Sequence, residues 1–251
     1  MLLDFWSRSA VRGVHRDDNE HLRRDGILTW TKLEAREHAE SFDSDTHLHR
    51  KLHVNLFPQP FIGNILDSHV YILFGNPGFA PSDYEDELNN TGHQSACTAN
   101  LQGKGHGFFP LKAASENTGV SNYWRPRLRN LARELSSSLG VSKKDAADII
   151  TNHVSLIEAG AYHSKSHPGH WADDLPSSKV ARQFVHKVLA PKAQTGEIVL
   201  LVWRRAAFWS LTQTNRNVMI RDPSNARHSY LLSQEQKFIV DHLAVRARAN
   251  E

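Results

Sequence analysis

Cysteine is almost absent from this chain: Cys97 is the only one in 251 residues. A single cysteine excludes an internal disulfide, a four-cysteine zinc site and an all-cysteine iron–sulfur cluster. The amino-terminal region also has no apolar run long enough for a signal peptide or a membrane span. These absences predict a cytoplasmic protein that works in a reducing compartment and does not associate with a membrane.

Neither sign of charge is in large excess. The chain has 30 lysines and arginines and 27 aspartates and glutamates, for a net charge of +3. The isoelectric point near 9.0 and the 16 histidines still leave the surface mildly basic. Such a surface permits a polyanionic partner without requiring one. The 39% of hydrophobic residues is enough for a substantial core in an ordinary soluble domain.

Apolar runs that alternate with helical patterns predict the fold. The predicted strands are residues 71–74, 149–157, 198–203 and 217–221. The predicted helices are residues 122–139, 177–189 and 233–248. Residues 88–107, rich in Gly and Asn, are expected to form a long loop. Together the pattern predicts an α/β fold, a three-layer α/β/α sandwich with a central parallel sheet of four to five strands. Residues 1–55 are predicted to be an amino-terminal arm or cap, and residues 56–251 the main domain.

The strand at residues 71–74 stops abruptly at Gly75-Asn76-Pro77-Gly78, which cannot extend a strand. A turn at the carboxyl end of a buried strand is where open α/β sheets place their ligands. We therefore expect chemistry at Asn76. The alternative is that Asn76 only caps the turn before Pro77, a common use of asparagine.

Four loops that follow the predicted elements together resemble the uracil-DNA glycosylase superfamily. They are residues 75–79, 107–111, 152–164 and 222–228. The first is similar to that family's Gly-x-Asn-Pro-Gly motif, and the third to its strand that opens with Asn and ends in Ala-Gly-x-x-His-Ser. Residues 201–203 resemble the family's Leu-Leu-Trp-Gly strand, and the fourth loop a variant of its His-Pro-Ser-Pro-Leu loop. The order and spacing of these motifs extend over residues 57–245.

The resemblance implies a DNA glycosylase, which takes a base out of the stack and stabilises a sugar cation while water attacks it. In this interpretation Asn76 positions the attacking water, with Asp83, Glu85 and Asp86 as nearby candidates for a base. Asn152 reads the edge of the flipped base, because one amide offers both a donor and an acceptor.

The resemblance also implies how the base is held. Either Phe108 or Phe109 stacks on the base, although a pair of phenylalanines is also typical of a core. His163 is expected to line the site. The other residues that the resemblance places around the base are Gly75, Pro77, Gly78 and Phe79.

Two residues depart from the family pattern. Gly78 stands where the fast uracil enzymes carry a Tyr that blocks a substituent at pyrimidine position 5. The alternative is that the backbone turn alone requires glycine here. The pocket is therefore expected to admit a 5-substituted pyrimidine, such as the hypermodified cytosine of a phage genome in antiviral defence. Asp222 stands where uracil-specific members have a His that contacts the departing base, and is either catalytic or a cap of the turn. The residues assigned to DNA contacts are Ser224, Asn225 and Arg227.

The prediction is a monomeric, monofunctional glycosylase that acts on DNA, leaves an abasic site and needs no metal or other cofactor. His163, His167 and His170 have a spacing that suits a metal, but Pro168-Gly169 interrupts any shared helical face. Three alternatives stay open. They are a repair glycosylase for uracil or mismatched thymine, a catalytically weak nucleic-acid-binding member of the same fold, and a different hydrolase that uses His163 and Asp222.

Overall fold

The computed structural model describes residues 1–8, 12–105, 107–213, 216–225 and 228–249. Its strands in chain order are β1 (Ile27–Leu28), β2 (Leu52–His53), β3 (Phe61–Ile62), β4 (Val70–Leu73), β5 (Val154–Ile157), β6 (Val199–Val202) and β7 (Val218–Ile220). The last five form one sheet in the order β3-β5-β4-β6-β7, and the first two form a separate parallel pair.

The five-stranded sheet is mostly parallel. β4 pairs in parallel with β5 on one side and with β6 on the other, and β7 extends the sheet beside β6. β3 runs antiparallel to β5 at the edge of the sheet, where no strand had been predicted. β4, β5 and β6 are buried along their whole length, as expected of apolar strands covered on both faces. The prediction of an α/β fold with a mostly parallel sheet is confirmed.

The strand order opens a crevice at the carboxyl ends of the central strands. The chain leaves β4, returns as β5 on one side of it, and then crosses over to the other side as β6. Where connections leave a central strand in opposite directions, a crevice forms outside the carboxyl ends of the strands. We call this end of the sheet the carboxyl edge. The residues that follow β4, β5 and β6 meet there.

Helices flank the sheet. In chain order they are α1 (Leu2–Ser7), α2 (Arg16–Asn19), α3 (Lys32–Glu37), α4 (Ala39–Phe42), α5 (Asp83–Asn89), α6 (Thr91–Leu101), α7 (Gly119–Leu139), α8 (Lys143–His153), α9 (Pro176–Phe184), α10 (Ala190–Gln194), α11 (Ala206–Trp209) and α12 (Ser233–Ala249). A π-helical turn, Val185–Leu189, continues α9. The helices predicted from apolar periodicity are confirmed as α7, α9 with its continuation, and α12.

Helix α7 brings its first turn to the carboxyl edge. Apolar residues recur along it at three- and four-residue intervals and bury one stripe against the sheet. The buried stripe consists of Trp124, Leu128, Leu131 and Leu135. The Thr118 side chain caps the amino terminus by accepting a hydrogen bond from Ser121 N–H, and Gly140 ends the helix in the left-handed region at φ 68°. Both ends of the helix are therefore set by local sequence.

The loop predicted over residues 88–107 is wrong, because α5 and α6 occupy most of it. Asn90 separates the two helices and caps α6, accepting a hydrogen bond from His93 N–H at 2.9 Å. The buried face of α6 includes the polar residues His93 and Asn100, whose side chains hydrogen-bond other buried groups. A helix whose inner face is partly polar has no clear apolar stripe, so periodicity could not reveal it.

The strand predicted over residues 149–157 is also partly wrong. Helix α8 continues to His153, and β5 begins only at Val154. The apolar residues of the end of α8 and of β5 adjoin in the sequence, and a short apolar run does not distinguish a buried helix end from a strand. The shift matters for function, because it moves Asn152 from a strand onto the last turn of a helix.

The first 55 residues pack directly on the sheet domain. Leu2 and Trp6 of α1 are fully buried in the same core as the central strands. A second, smaller core cluster joins this region to the start of α5 and consists of Trp30, Ala35, Phe42, Leu56, Phe79 and Tyr84. The domain boundary at residue 55 stays a prediction. Within the described residues no helix is both long and apolar enough to cross a membrane.

Candidate functional site

A cavity of about 670 Å³ opens at the carboxyl edge. Its volume lies within the range of about 300–1,000 Å³ that is typical of small-molecule sites. The lining comes from the segments that follow β4, β5 and β6, together with α5 and the first turns of α7. Parts of the chain that are far apart in sequence therefore meet at the place where the strand order predicts a ligand.

The loop after β4 forms one wall of this cavity. All of residues 75–79 line it. Gly160 N–H donates a hydrogen bond to the Gly75 carbonyl at 2.9 Å, and Ser164 N–H donates one to the Pro77 carbonyl at 3.1 Å. These bonds join the loop after β4 to the segment after β5, so the wall is held from both sides.

The Asn76 side chain is oriented by its neighbours. Its Nδ2 donates to the Ser164 carbonyl at 2.8 Å and to the Pro77 carbonyl at 2.9 Å, and lies 2.9 Å from Ser164 Oγ. Because two of these partners are carbonyl oxygens, which can only accept, the NH₂ group must face them and the amide cannot be reversed. No described residue donates to Oδ1 of Asn76. The cavity therefore contains an amide with a fixed orientation and a free acceptor.

His163 lies beside the same loop and also lines the cavity. Its Nδ1 is 2.8 Å from the Gly78 carbonyl oxygen, and its Nε2 is 3.1 Å from that of Phe57. Burial lowers the pKa of His163 to about 4, although both carbonyl oxygens favour the charged ring. A neutral imidazole carries one N–H, so His163 can donate to only one of the two carbonyl oxygens at a time, and in this form it adds no positive charge to the cavity.

Asp83, at the start of α5, places a carboxyl in the cavity with 16% of its side chain exposed. Its Oδ2 accepts a hydrogen bond from Ala80 N–H at 2.9 Å and lies 4.0 Å from Nδ1 of His163. Burial raises the pKa of Asp83 to about 7; the Ala80 hydrogen bond opposes this rise and the nearby Asp86 charge adds to it. A carboxyl that titrates near neutrality is suited to act as a general base.

The amino terminus of α7 approaches these carboxyls closely. Gly119 N–H donates to Oδ2 of Asp86 at 2.6 Å. A Cβ added at Gly119 would lie 2.5 Å from Oδ1 of Asp83, so a larger residue would push α7 away from the acidic pair. The partial positive charge at the start of this 21-residue helix favours the ionised carboxylates and so limits the effect of burial.

Glu158 directly follows β5, lines the cavity and is only 4% exposed. Its Oε2 is buried without a hydrogen-bond partner, and no described residue bonds to its other oxygen. Burial raises the pKa of Glu158 well above its ordinary range, and the Arg204 charge opposes this only in part. Burial therefore favours the neutral carboxyl, which has one O–H donor and a carbonyl acceptor.

Aromatic side chains form apolar walls. The aromatic residues that line the cavity are Phe74, Phe79, Tyr123 and Trp124. Phe74 and Trp124 meet edge to face, with ring centroids 5.8 Å apart. Flat aromatic walls can hold a planar heterocycle by stacking, which is tolerant of the identity of the base.

Gly78 leaves space in this cavity. A Cβ built at Gly78 would meet no atom within 4 Å, and the residue has no positive φ. Its backbone conformation is therefore open to any L-residue, so the turn does not require glycine. The lack of a side chain at Gly78 enlarges the cavity instead.

Positively charged side chains from the segments after β5 and β6 line the cavity. They are Lys165, Arg204 and Arg205. Arg205 has a left-handed backbone (φ 59°), which is uncommon for a residue other than glycine, and its guanidinium binds the Asp173 carboxylate, with 2.6 Å to Oδ1. Lys165 pairs with the Asp43 carboxylate. Among the described residues, Nε of Arg204 is buried without a hydrogen-bond partner.

The structure does not bring every predicted residue to the cavity. Asn152 is exposed on the last turn of α8, at the amino end of β5. The four residues of β5 separate it from the carboxyl edge by about 13 Å, at about 3.3 Å per residue, so Asn152 cannot read a base there. Phe108 and Phe109 are buried in the core, and Phe108 packs edge-on against Trp124 behind the cavity wall. The structure therefore places Asn152, Phe108 and Phe109 outside the lining of the cavity, and their contacts with a base stay predictions.

Asp222 also lies outside the cavity, so the structure favours the second of the two roles that the sequence left open for it. Asp222 is exposed, does not line the cavity, and accepts hydrogen bonds from the Ser224 backbone N–H at 2.7 Å and from its hydroxyl. The Ser224 hydroxyl is the larger cause of a lowered pKa for Asp222. Asp222 therefore caps a turn. DNA contacts by Ser224 and Asn225, which also lie outside the cavity lining, stay predictions, and Arg227 lies outside the described residues.

The sequence analysis missed Glu158 and reached Asp83 only as one of three acidic candidates. Of the other two, Asp86 lines the cavity, whereas Glu85 pairs with Arg36 outside it. A signal for Glu158 was present, because it is the first polar residue after an apolar run. The same criterion had selected Asn76.

Among the described residues, no group of three or more His, Cys, Asp or Glu side chains is placed to hold a metal ion. No protein-family model matches the chain, and neither curated proteins nor solved structures give a significant match. Any assignment of function therefore depends on the chemistry of the cavity.

Proposed function

We propose that this chain is a monofunctional DNA glycosylase. It hydrolyses the N-glycosidic bond of a modified pyrimidine that is flipped out of DNA, and it leaves an abasic site. The observation that carries the proposal is the pairing, in one cavity, of the fixed Asn76 amide with a free Oδ1 and the Asp83 carboxyl with a pKa of about 7. The resemblance of residues 74–78 and 152–164 to the uracil-DNA glycosylase superfamily supports the same reaction. We propose that the fold is the three-layer α/β/α sandwich of that superfamily.

Asn76 and Asp83 divide the activation of water between them. Oδ1 of Asn76 accepts one hydrogen bond from the water and so fixes its position, but a neutral amide does not take up a proton. The Asp83 carboxylate takes the proton as the water oxygen bonds to C1′ of the sugar. Its negative charge also stabilises the positive charge that develops on the sugar as the base departs.

The cavity favours a pyrimidine that carries a substituent at position 5. Gly78 adds no side chain to the wall, and the space beside it is open. A volume of about 670 Å³ leaves room for more than an unmodified ring between the aromatic walls. A hypermodified pyrimidine of phage DNA fits this space, and with it a role in antiviral defence.

Contacts to DNA would come from the cations around the cavity. Arg204, Arg205 and Lys165 line the cavity, and we assign to them the contacts with the phosphates that flank the flipped nucleotide. Because such contacts read the backbone, they position the strand without selecting its sequence.

The test is to incubate the full chain with DNAs that differ in pyrimidine modification and to identify the released free bases by mass spectrometry. We expect release of a modified pyrimidine with formation of an equal number of abasic sites. Asn76→Ala should slow release by at least about 100-fold. Asn152→Ala is the matched control: the same substitution at the opposite end of the sheet should leave the rate unchanged.

Three outcomes would contradict the proposal. Loss of release in Asn152→Ala but not in Asn76→Ala would show that the cavity is not the reaction site. DNA binding with no release of any base would indicate a nucleic-acid-binding protein of the same fold. Turnover of small substrates without activity on DNA would indicate a different hydrolase.

A further inference from the structure

Glu158 is a polar group of the cavity that the mechanism above leaves unused. It stands at the carboxyl end of β5, where its backbone N–H donates to the Pro60 carbonyl at 2.9 Å and holds the residue in place. The side chain is 4% exposed, lines the cavity and has one oxygen buried without a partner. Burial of a polar group without a hydrogen-bond partner costs free energy. We therefore expect a bound ligand to form the missing hydrogen bond with the Glu158 carboxyl.

We propose that Glu158 is a catalytic acid: its protonated carboxyl donates a proton to the ring nitrogen N3 of the bound base, so that the preferred substrates are amino-pyrimidines of the cytosine type. The inference rests on the proposed glycosylase function and names the substrate class of the same site. Glu158 also takes the recognition role that the sequence analysis gave to Asn152.

The chemistry of the base selects this class. Cytosine and its 5-substituted forms present a lone pair on N3 beside an amino donor, which complements the O–H donor and carbonyl acceptor of a neutral carboxyl. Uracil and thymine carry a hydrogen on N3, and their carbonyl oxygens are much weaker bases. A carboxyl can hydrogen-bond to either class, but it can transfer a proton readily only to the cytosine class.

Proton transfer also solves a leaving-group problem. A cytosine that departs as an anion is a poor leaving group. When the Glu158 proton moves to N3, the C1′–N1 bond breaks with its electron pair remaining on N1, and the base leaves as a neutral molecule. Water then bonds to C1′ and gives its proton to Asp83. Exchange with solvent after base release returns the Glu158 proton and removes the Asp83 proton.

Burial acts on both carboxyls of the cavity. It raises the pKa of Glu158 well above its ordinary range and that of Asp83 to about 7. The charged and titratable groups that face Glu158 are Arg204, after β6, and Tyr123, on α7. A reaction with one acid and one base requires that Glu158 be protonated while Asp83 is ionised, and burial of Glu158 favours its protonated form.

Glu158→Gln tests the inference, because glutamine keeps the shape and the hydrogen-bonding groups but has no proton to transfer. We expect single-turnover release of a 5-substituted cytosine to slow by at least about 100-fold. The loss of rate at high pH should disappear, and the rise near pH 7 from Asp83 should remain. Glu116→Gln, at an exposed position outside the cavity, is the control and should match the wild type.

The outcomes separate the two proposals. If the wild type releases cytosine-type bases and Glu158→Gln releases them within about threefold of that rate, the acid role is refuted while the glycosylase proposal stands. Equal slowing for every base class, with an unchanged pH profile, would indicate a structural role and also refute it. Preferential release of uracil or thymine by the wild type would refute the substrate class. No release from any DNA would overturn both proposals.

Discussion

Replacement of Asp83 by asparagine should make the protein more stable and less active. The carboxyl of Asp83 is 16% exposed, and burial raises its pKa from 3.8 to about 7. The ionised form is therefore less stable in the folded cavity than in the unfolded chain. Asparagine keeps an oxygen that can accept the Ala80 hydrogen bond but never ionises.

The sign and size of the effect follow from proton linkage. With a pKa of about 7 when folded and about 3.8 when unfolded, Asp83 binds more protons in the folded state between these values, so the wild type loses stability as pH rises across this window. At about 1.36 kcal/mol per pH unit, the full loss above pH 7 is about 4 kcal/mol. Because water in the cavity screens the partly exposed charge, we expect the variant to gain about 1–4 kcal/mol at pH 9 and less at pH 5.

Urea unfolding of the wild type and of Asp83→Asn at pH 5 and pH 9 measures this difference, and base release is measured on the same samples. Other titrating groups are common to both proteins and cancel in the comparison. Asp222→Asn is the control, because Asp222 is exposed and has a lowered pKa. It is ionised in both states over this range, so its replacement should give a difference that does not change with pH.

Two results would refute this reasoning. A stability difference between Asp83→Asn and the wild type that is the same at pH 5 and pH 9 would show that the carboxyl does not titrate near neutrality. Undiminished base release would show that Asp83 is not the base. We expect a gain in stability together with a loss of at least about 100-fold in rate. This combination is typical of a catalytic group whose ionised form destabilises the folded protein.

The remaining predictions concern the cavity wall and the amino-terminal region. Gly78→Tyr should reduce release of a 5-substituted pyrimidine by about 100-fold in a steady-state assay with matched unmodified DNA. Its thermal stability should stay close to that of the wild type, since a Cβ there meets nothing within 4 Å; unchanged selectivity would contradict the role of Gly78. Trp6→Ala should lower the free energy of unfolding by about 3–5 kcal/mol, because Trp6 is fully buried in the main core. A second, separate unfolding transition would show instead that the first 55 residues form an independent unit.

Local pattern determined several elements from the sequence alone. β4 and β6 are continuous apolar runs bounded by turn residues, and α7 and α12 have a helical period. Asn76 could be selected for the same reason, because a polar residue after a buried strand must lie at a sheet edge. These inferences depend on residues that are neighbours in the chain.

The site itself was decided by tertiary structure. The groups that pack against the chain decide whether β5 begins at residue 149 or at Val154. Because β5 begins at Val154, Asn152 lies away from the cavity and Glu158 lines it. The pKa values of Asp83 and Glu158 depend on burial by segments distant in sequence. The sequence by itself determined where the strands end, whereas only the folded chain decided which side chains meet there and which of them remain neutral, because burial and contact are properties of residues brought together from far apart.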